Sequence, residues 1–304
     1  MSSILRSIHL SGGVYFRCEF SAPWGLEVPE NPDAEFHVVV RGQCWLARPL
    51  ERTPLPLVAG DIAVFLDGSR HRLLDTPSGK ALAPEQVIGD QNLSDFGPVT
   101  YGGGGNPVTI LCGYFRFDRE SAHPLLAALP NFIHIRGTES GGADAIIKLM
   151  HQETAHAAPG KEAVVDRLSE LLFIQILRAH IQNSTDTAGM LAALRDRKVC
   201  AALNCMHQSP HLSWTLESLA SELGMSRSAF ASRFKLMVGQ TPIQYLTTRR
   251  VQEGKRLLRE SRLSVTAIAE RVGYGSEAAF GKVFKRYAGV GPGIFRRQGG
   301  KATA

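Results

Sequence analysis

The sequence predicts an α+β protein with a β-rich N-terminal part, a helical middle segment and an all-α C-terminal part holding two helix-turn-helix units. Three observations predict it. Short apolar runs alternate with Gly, Pro and Asp clusters up to about residue 125. The apolar spacing then changes to the 3.6-residue period of helices. The last hundred residues repeat themselves at a spacing of 50.

The strands are read from Phe36–Val40, Cys44–Ala47, Ile62–Leu66 and Val108–Phe117. Gly102–Gly105 lacks the GK[ST] and the strand–helix context of a phosphate loop, so it reads as a connection between strands. No bound cofactor is expected. From Gly142 to Gln182 the pattern is helical, broken once at Pro159-Gly160, and Val164, Leu168, Leu171, Leu172, Ile176 and Ile181 fall mostly on one stripe. Asn183–Gly189 is polar and small, as a linker would be. The expected boundaries are 1–140, 141–182, a linker at 183–192, and 193–298, followed by a loose glycine-rich tail.

The 304 residues are 44% hydrophobic and 20% charged, enough for two ordinary cores and unlike a disordered chain. No run of about 18 apolar residues appears, so no membrane span or membrane partner is expected. The first sixteen residues have no continuous apolar stretch and read as mature cytosolic sequence. Cys18, Cys44, Cys112, Cys200 and Cys205 form no CxxC pair, which points to thiols reduced at rest rather than a disulfide framework. Charge is uneven. From Arg195 onward 19 Lys and Arg face 7 Asp and Glu, a stretch of +12, while residues 1–194 carry −6. A basic C-terminal third on an acidic body implies a polyanionic partner, of which nucleic acid is the usual one.

Both copies of the repeat spell Ser-x3-Phe-x3-Phe-Lys-x3-Gly-x2-Pro, from Ser226 to Pro242 and from Ser276 to Pro292. In the first copy Thr215 caps a short helix that Gly224 ends, and Ser226 caps the next. In the second copy Ser264, Gly273 and Ser276 take the same parts. A short helix, a glycine turn and a capped second helix make a helix-turn-helix. Ile243 to Glu260, opened by Pro242, joins the two units. Phe230 with Phe234, and Phe280 with Phe284, stand at i and i+4 and are expected in the core.

The opposite stripes hold Ser228, Ala231, Ser232 and Lys235, and Ala278, Gly281, Lys282 and Lys285. These positions would enter a major groove. Lys282 can reach a guanine edge or a phosphate. The short side chains of the first copy require close approach, with Ala231 suited to a thymine methyl. Arg227 and Glu277 at the helix starts complete the candidate set, with Arg249 and Arg250 of the joining helix read, like Lys255 and Arg256, as phosphate-facing or solvated.

Residues 195–297 resemble the DNA-binding domain of the AraC/XylS family of bacterial regulators. The resemblance rests on Leu216-Glu217-x-Leu219-Ala220, Gly224-Met225-Ser226, Phe230-x3-Phe234-Lys235, Ile268-Ala269-x2-Val272-Gly273-Tyr274, Phe284-Lys285, Gly289-x2-Pro292 and Phe295-Arg296. It implies two reading helices in successive major grooves about 34 Å apart. It also implies double-stranded promoter or operator DNA and RNA polymerase as partners, and a homodimer formed by the helices between Ala143 and Gln182. Gly254 departs from the alanine common in that family, at an expected cost of about 1 kcal/mol of helix stability.

Glu35 with Gly42, and Gly60-Asp61-x4-Leu66-Asp67-Gly68-x2-His71, resemble the two motifs of the cupin β-barrel, which supply a Glu and a His to a metal. The HxH that should precede Glu35 is absent, and Leu66 replaces a proline. Glu35, His71 and His37 are the metal candidates on offer, fewer than a site normally needs with certainty, so a cupin-like barrel without its metal is expected. His37 and His71 read equally as hydrogen-bonded residues of a barrel interior, and with Glu35 they mark a candidate effector pocket.

Residues 1–140 are similar to the cupin-type sensor domain of a subgroup of AraC regulators, through Phe36-His37-Val38-Val39, Cys112-Gly113-Tyr114-Phe115 and His123-Pro124-Leu125-Leu126-x2-Leu129-Pro130. Within it, regulators responsive to reactive chlorine use an early cysteine and a second one in a Cys-Gly strand. Cys18 and Cys112 fall at matching places, so the resemblance implies a redox pair; the plain reading of Cys112 is a small core residue. The implied function is a transcription regulator, an activator governed by an oxidant or small molecule, and not an enzyme. The alternative is a cupin metalloenzyme with a helical accessory domain.

Overall fold

The computed structural model describes residues 4, 10–89, 91, 98–117, 124–156 and 158–299. His123 and the tail beyond Gly299 lie outside them. The chain forms two compact units, one of His9–Phe117 with Leu129–Asn183, the other built mainly on Ser184 onward.

In the first unit ten strands run β1 (Leu10–Ser21), β2 (Gly25–Val28), β3 (Ala34–Arg41), β4 (Gln43–Ala47), β5 (Leu55–Val58), β6 (Ile62–Phe65), β7 (His71–Leu74), β8 (Pro98–Gly102), β9 (Pro107–Phe117) and β10 (Phe132–Ile135). They make a six-stranded sheet, β10-β6-β3-β9-β1-β8, and a four-stranded sheet, β2-β7-β4-β5. All pairs are antiparallel except β1 with β8. The core between the sheets includes Cys18, Phe20, Trp24, Val39, Leu46, Phe65, Leu73 and Ile110. A short helix α1 (Pro84–Ile88) contributes Val87 to it. Gly102–Gly105 is indeed a connection, its amides of Gly103 and Gly105 donating to the carbonyls of Ser21 and Ala22.

The other face of the larger sheet is covered too. Helices α3 (Ala143–Ala155) and α4 (Lys161–Asn183) pack together, and α4 lies on β1. Gly12 and Gly13 permit this: a Cβ on Gly12 would come 3.2 Å from Ser169 Cβ, and one on Gly13 would come 3.0 Å from Asp166 Oδ1. Phe173 fills the space over Phe115 and Phe117 at 4.9 and 5.0 Å between ring centroids. A sheet buried on both faces has strands without alternation, which is why six successive residues of β3, Ala34 to Val39, are all buried, Glu35 and His37 among them. The expected stripe on α4 is shifted. Val165, Leu168, Leu172, Phe173, Ile176, Leu177 and Ile181 are buried, whereas Val164 and Leu171 point outward at 44% and 49% exposure.

The second unit is helical: α2 (Pro124–Ala127), α5 (Gly189–Arg195), α6 (Arg197–Gln208), α7 (Leu216–Glu222), α8 (Arg227–Val238), α9 (Pro242–Glu260), α10 (Val265–Arg271), α11 (Glu277–Ala288) and α12 (Pro292–Gly299). Here the expected linker is too long. Met190 to Leu194 are all buried in α5, which packs on α8, so the connection shrinks to Ser184–Ala188. Helix α2, inside the expected 1–140 domain, packs on α5 and groups with this unit, while residues 129–183 group with the strands. Thr215 forms a capping box with Ser218, Thr241 another with Gln244, and Asp196 caps α6. No helix among the described residues is long and apolar enough to cross a membrane.

Gly254 is a correction of physical interest. It is buried where α9 meets α11, and a Cβ there would stand 2.9 Å from Phe280 Cζ. The glycine is a packing requirement, not a mere loss of helix propensity.

Candidate functional site

The helical unit presents two equivalent faces. Ser226 Oγ accepts from the Ala229 amide and Ser276 Oγ from the Ala279 amide, fixing the starts of α8 and α11. Phe230, Phe234, Phe280 and Phe284 are fully buried, which fixes the rotation of each helix about its axis. The opposite faces are therefore open: Ser228, Ser232, Lys235, Ala278, Lys282 and Lys285 are exposed, Ala231 and Gly281 partly so. A Cβ on Gly281 would meet nothing within 4 Å. Arg227 and Glu277, fifty residues apart, brace their units alike. Arg227 Nη1 pairs with Glu217 Oε1 at 2.9 Å, and Thr266 Oγ1 donates to Glu277 Oε2 at 2.6 Å.

The joining helix departs from expectation. The Arg249 side chain is only 14% exposed and pairs with Glu253 at 3.5 Å. Arg250 donates to the carbonyls of Pro210 and Leu212 at 2.7 and 2.8 Å and lies over the Tyr274 ring. Arg256 pairs with Glu253 and Glu260, and Lys255 sits over Phe295. Ion pairs within α9 hold Arg249 and Arg256, and the carbonyls of the segment after α6 hold Arg250, so Arg249 and Arg250 have structural partners rather than the free, phosphate-facing or solvated heads expected. Sequence reading also missed Arg233, which pairs with the capping carboxylate of Asp196; a lone Asp thirty-seven residues away gave no signal.

The β unit holds a buried thiol–imidazole cluster. Strand β9 lies between β3 and β1, so Cys112 is opposite His37 on one side and Phe16 on the other, while Cys18 pairs with Ile110. Cys18 is thus the diagonal neighbour of Cys112, with their sulfurs 3.8 Å apart and both residues buried. His37 Nδ1 lies 3.2 Å from Cys112 Sγ. Its Nε2 lies 2.7 Å from Nε2 of His71, which reaches in from β7 of the other sheet. His71 Nδ1 meets the Ser69 carbonyl at 2.8 Å, and Phe65 stacks on its ring.

The proton positions follow by elimination. A carbonyl only accepts, so His71 Nδ1 carries a proton and its Nε2 accepts from His37 Nε2–H. His37 Nδ1 is then the acceptor for the Cys112 thiol. Burial keeps both rings neutral, holding His37 well below the usual histidine range and His71 down to about 4. The hydrogen bond with Cys18, then burial, push the Cys112 thiol well above its usual range.

Glu35, on β3, completes the cluster. Asn31 Nδ2 donates to Glu35 Oε1 and to Tyr15 Oη, both at 3.1 Å. Glu35 Oε2 is buried with no hydrogen-bond partner, and burial pushes this carboxyl up to about 7. A cavity of about 190 Å³, walled by Phe16, Leu26, Val28 and Ile88, ends on Glu35, His37 and Cys112. Cys18 does not line it. Asn31, Ser69 and Tyr15 had no sequence signal; only the pairing of strands 75 residues apart puts His37 beside Cys112.

Glu35, His37 and His71 offer ligand atoms within 4.8 Å of one another. A tetrahedral ion holding two imidazoles at about 2.0–2.1 Å would separate their nitrogens by roughly 3.3 Å. The 2.7 Å between the two Nε2 atoms is instead the length of an N–H···N hydrogen bond. The arrangement does not fit a metal and does fit a proton relay.

Comparison with known proteins agrees with this architecture. A cupin family profile matches residues 1–182, and one for a helix-turn-helix domain matches 219–298. An uncharacterized HTH-type transcriptional regulator of Haemophilus influenzae is 33% identical over 94% of both chains. An AraC-like transcription regulator of Streptomyces antibioticus is 35% identical over 90% of both chains. The RCS-specific HTH-type transcriptional activator RclR of Escherichia coli K12 is 33% identical over 62% of this chain and 68% of its own. With its capped reading helices, its basic open faces and its cupin barrel, the chain belongs to the AraC family of DNA-binding transcription regulators.

Proposed function

We propose that this regulator is a cytoplasmic, oxidant-responsive transcription activator that binds promoter DNA as a homodimer. The observation that carries the redox reading is the 3.8 Å approach of Cys18 Sγ to Cys112 Sγ inside the barrel, where both residues are buried. Oxidation of one thiol and attack by the other gives a disulfide, a change large enough to switch a packed barrel. The similarity to an RCS-specific activator supports a reactive chlorine species as the signal. Val164 and Leu171, exposed seven residues apart on α4, support a helix-to-helix dimer. DNA is read by Lys282 and Lys285 of α11 and by the short side chains Ser228, Ala231 and Ser232 of α8, with Lys235, Ala278 and Gly281 alongside and Arg227 and Glu277 bracing. Activation requires contact with RNA polymerase. The barrel works as a sensor, not as an enzyme.

The test is hypochlorous acid treatment of the purified protein, with peptide mapping, beside a reporter assay in cells. A Cys18–Cys112 bond, and loss of induction in both Cys18→Ala and Cys112→Ala, is the expected result. Normal induction in both variants refutes the redox reading.

A further inference from the structure

We infer that Cys112 is the thiol oxidised first, by a small uncharged hypohalous acid entering the apolar cavity, with His37 accepting the thiol proton and His71 positioning His37. The inference rests on the redox reading of Cys18 and Cys112 and assigns the order and chemistry within it.

Three features carry it. The cavity of about 190 Å³ ends on Cys112 and His37 but not on Cys18, so only one of the two sulfurs faces an entering reagent. The walls Phe16, Leu26, Val28 and Ile88 are apolar, which disfavours an anion and admits a neutral molecule. At the cavity's end Glu35 Oε2 is buried without a partner, an acceptor for the O–H of the acid. The relay is fixed at its far end, because the Ser69 carbonyl, 2.8 Å from His71 Nδ1, sets the tautomer of both rings. Its near end is the His37 Nδ1 lone pair, 3.2 Å from the Cys112 sulfur.

The steps balance. The Cys112 sulfur attacks chlorine of HOCl while its proton passes to His37 Nδ1; an S–Cl bond forms and the O–Cl bond breaks. The hydroxide released takes the proton from His37 and leaves as water. The Cys18 thiol, 3.8 Å away, then attacks the Cys112 sulfur, forming S–S and expelling chloride, with its proton again taken by His37 and passed to water. Two thiols and one HOCl give a disulfide, water, a proton and chloride. Resting reactivity is low, because burial and the bond to Cys18 keep Cys112 a thiol. A nucleophile in that state, deprotonated only as it reacts, is guarded against weaker oxidants that need a standing thiolate.

The experiment uses the full chain and substoichiometric HOCl, with rapid quenching and mass-spectrometric mapping. Cys18→Ala should leave Cys112 oxidised at least as fast as in the native protein, since the bond to Cys18 that holds its proton is removed, whereas Cys112→Ala should slow Cys18 about tenfold or more. His37→Gln keeps a hydrogen-bond acceptor but cannot take a proton, and should slow Cys112 about tenfold or more, at the low end of general-base effects. His71→Gln should give an intermediate rate. Native-like hydrogen-exchange protection of peptides from β1, β3 and β9 under reducing conditions reports that the barrel of each variant is folded. Should His37→Gln fail to fold, the native protein supplies the test: HOCl is compared with taurine chloramine, an anion. The ratio of Cys112 oxidation to that of the half-buried Cys200 and Cys205 should be about tenfold higher with HOCl. An undiminished Cys18 rate in Cys112→Ala, an unchanged rate in His37→Gln, or equal ratios for the two reagents overturns the inference while leaving the disulfide intact. Modification of Cys200 and Cys205 with neither Cys18 nor Cys112 touched overturns the redox reading itself.

Discussion

Replacing Gly254 by alanine sets two opposing effects against each other, and the structure decides between them. Helix propensity favours alanine by about 1 kcal/mol in the interior of a helix. Against that, the new Cβ would stand 2.9 Å from Phe280 Cζ and 3.0 Å from Cε2, where carbon atoms settle at about 3.5–4.0 Å. Phe280 cannot yield easily. It is fully buried, with Tyr274 at 5.6 Å and Phe284 at 5.3 Å between centroids. Overpacking of this kind costs about 1–3 kcal/mol, and the tight 2.9 Å approach to a locked ring places this case toward the upper end, so after the propensity gain Gly254→Ala should be net destabilising by up to about 2 kcal/mol. Because Phe280 anchors α11, the reading helix should tilt and operator affinity should fall as well. Urea denaturation read by hydrogen exchange on peptides of α9 to α11 separates this unit from the barrel. Increased protection there, by about the 1 kcal/mol that propensity alone supplies, would refute the packing argument.

Lys282→Ala should weaken operator binding by about 1–3 kcal/mol and relax preference at one base pair; a uniform loss with a shallower salt slope would move Lys282 to the phosphate contacts. Arg250→Ala removes two charge-assisted bonds to the Pro210 and Leu212 carbonyls and should lower stability by about 2–3 kcal/mol, while the salt slope of DNA binding stays as it was. Leu171→Glu on the exposed face of α4 should shift sedimentation toward the monomer; an unchanged dimer would place the interface elsewhere. Glu35 binds its proton more tightly folded than unfolded, its pKa rising from 4.5 to about 7. Its contribution to stability is therefore full at low pH and declines as pH rises through that window. Glu35→Gln should flatten that decline in unfolding midpoints measured across the same range, and an unaltered profile would show that Glu35 is not buried as described.

The helical unit was legible because its signals are local. Caps, glycine turns and the i, i+4 phenylalanines act within four residues of one another, and the repeat printed them twice. The joining-helix arginines were misread for the complementary reason: nothing near Arg250 in sequence announces the carbonyls of Pro210 and Leu212 forty residues away. Gly254 likewise looked like a weakness because its partner Phe280 belongs to another helix. In the barrel, strands with continuous apolar runs were visible, but β1 was not, since Gly12 and Gly13 interrupt it for the sake of α4. Cys18, Cys112 and His37 could be named singly. Their meeting depends on the order β3-β9-β1, a long-range pairing that local pattern does not encode.

The diagonal placement of the two cysteines has a mechanical consequence. Diagonal neighbours across antiparallel strands have Cα atoms about 7–8 Å apart, beyond the roughly 4.4–6.8 Å that a disulfide spans. Joining Cys18 to Cys112 would therefore drag β1 along β9, next to the register shift between Val14 and Phe16 where the ladder is already loosened. Helix α4 rests on that strand at Gly12 and Gly13 with no side chain between to absorb the movement. A sulfur–sulfur bond would act there as a winch, turning an oxidation confined to the barrel interior into travel of the helix that bears Val164 and Leu171 on its outer side.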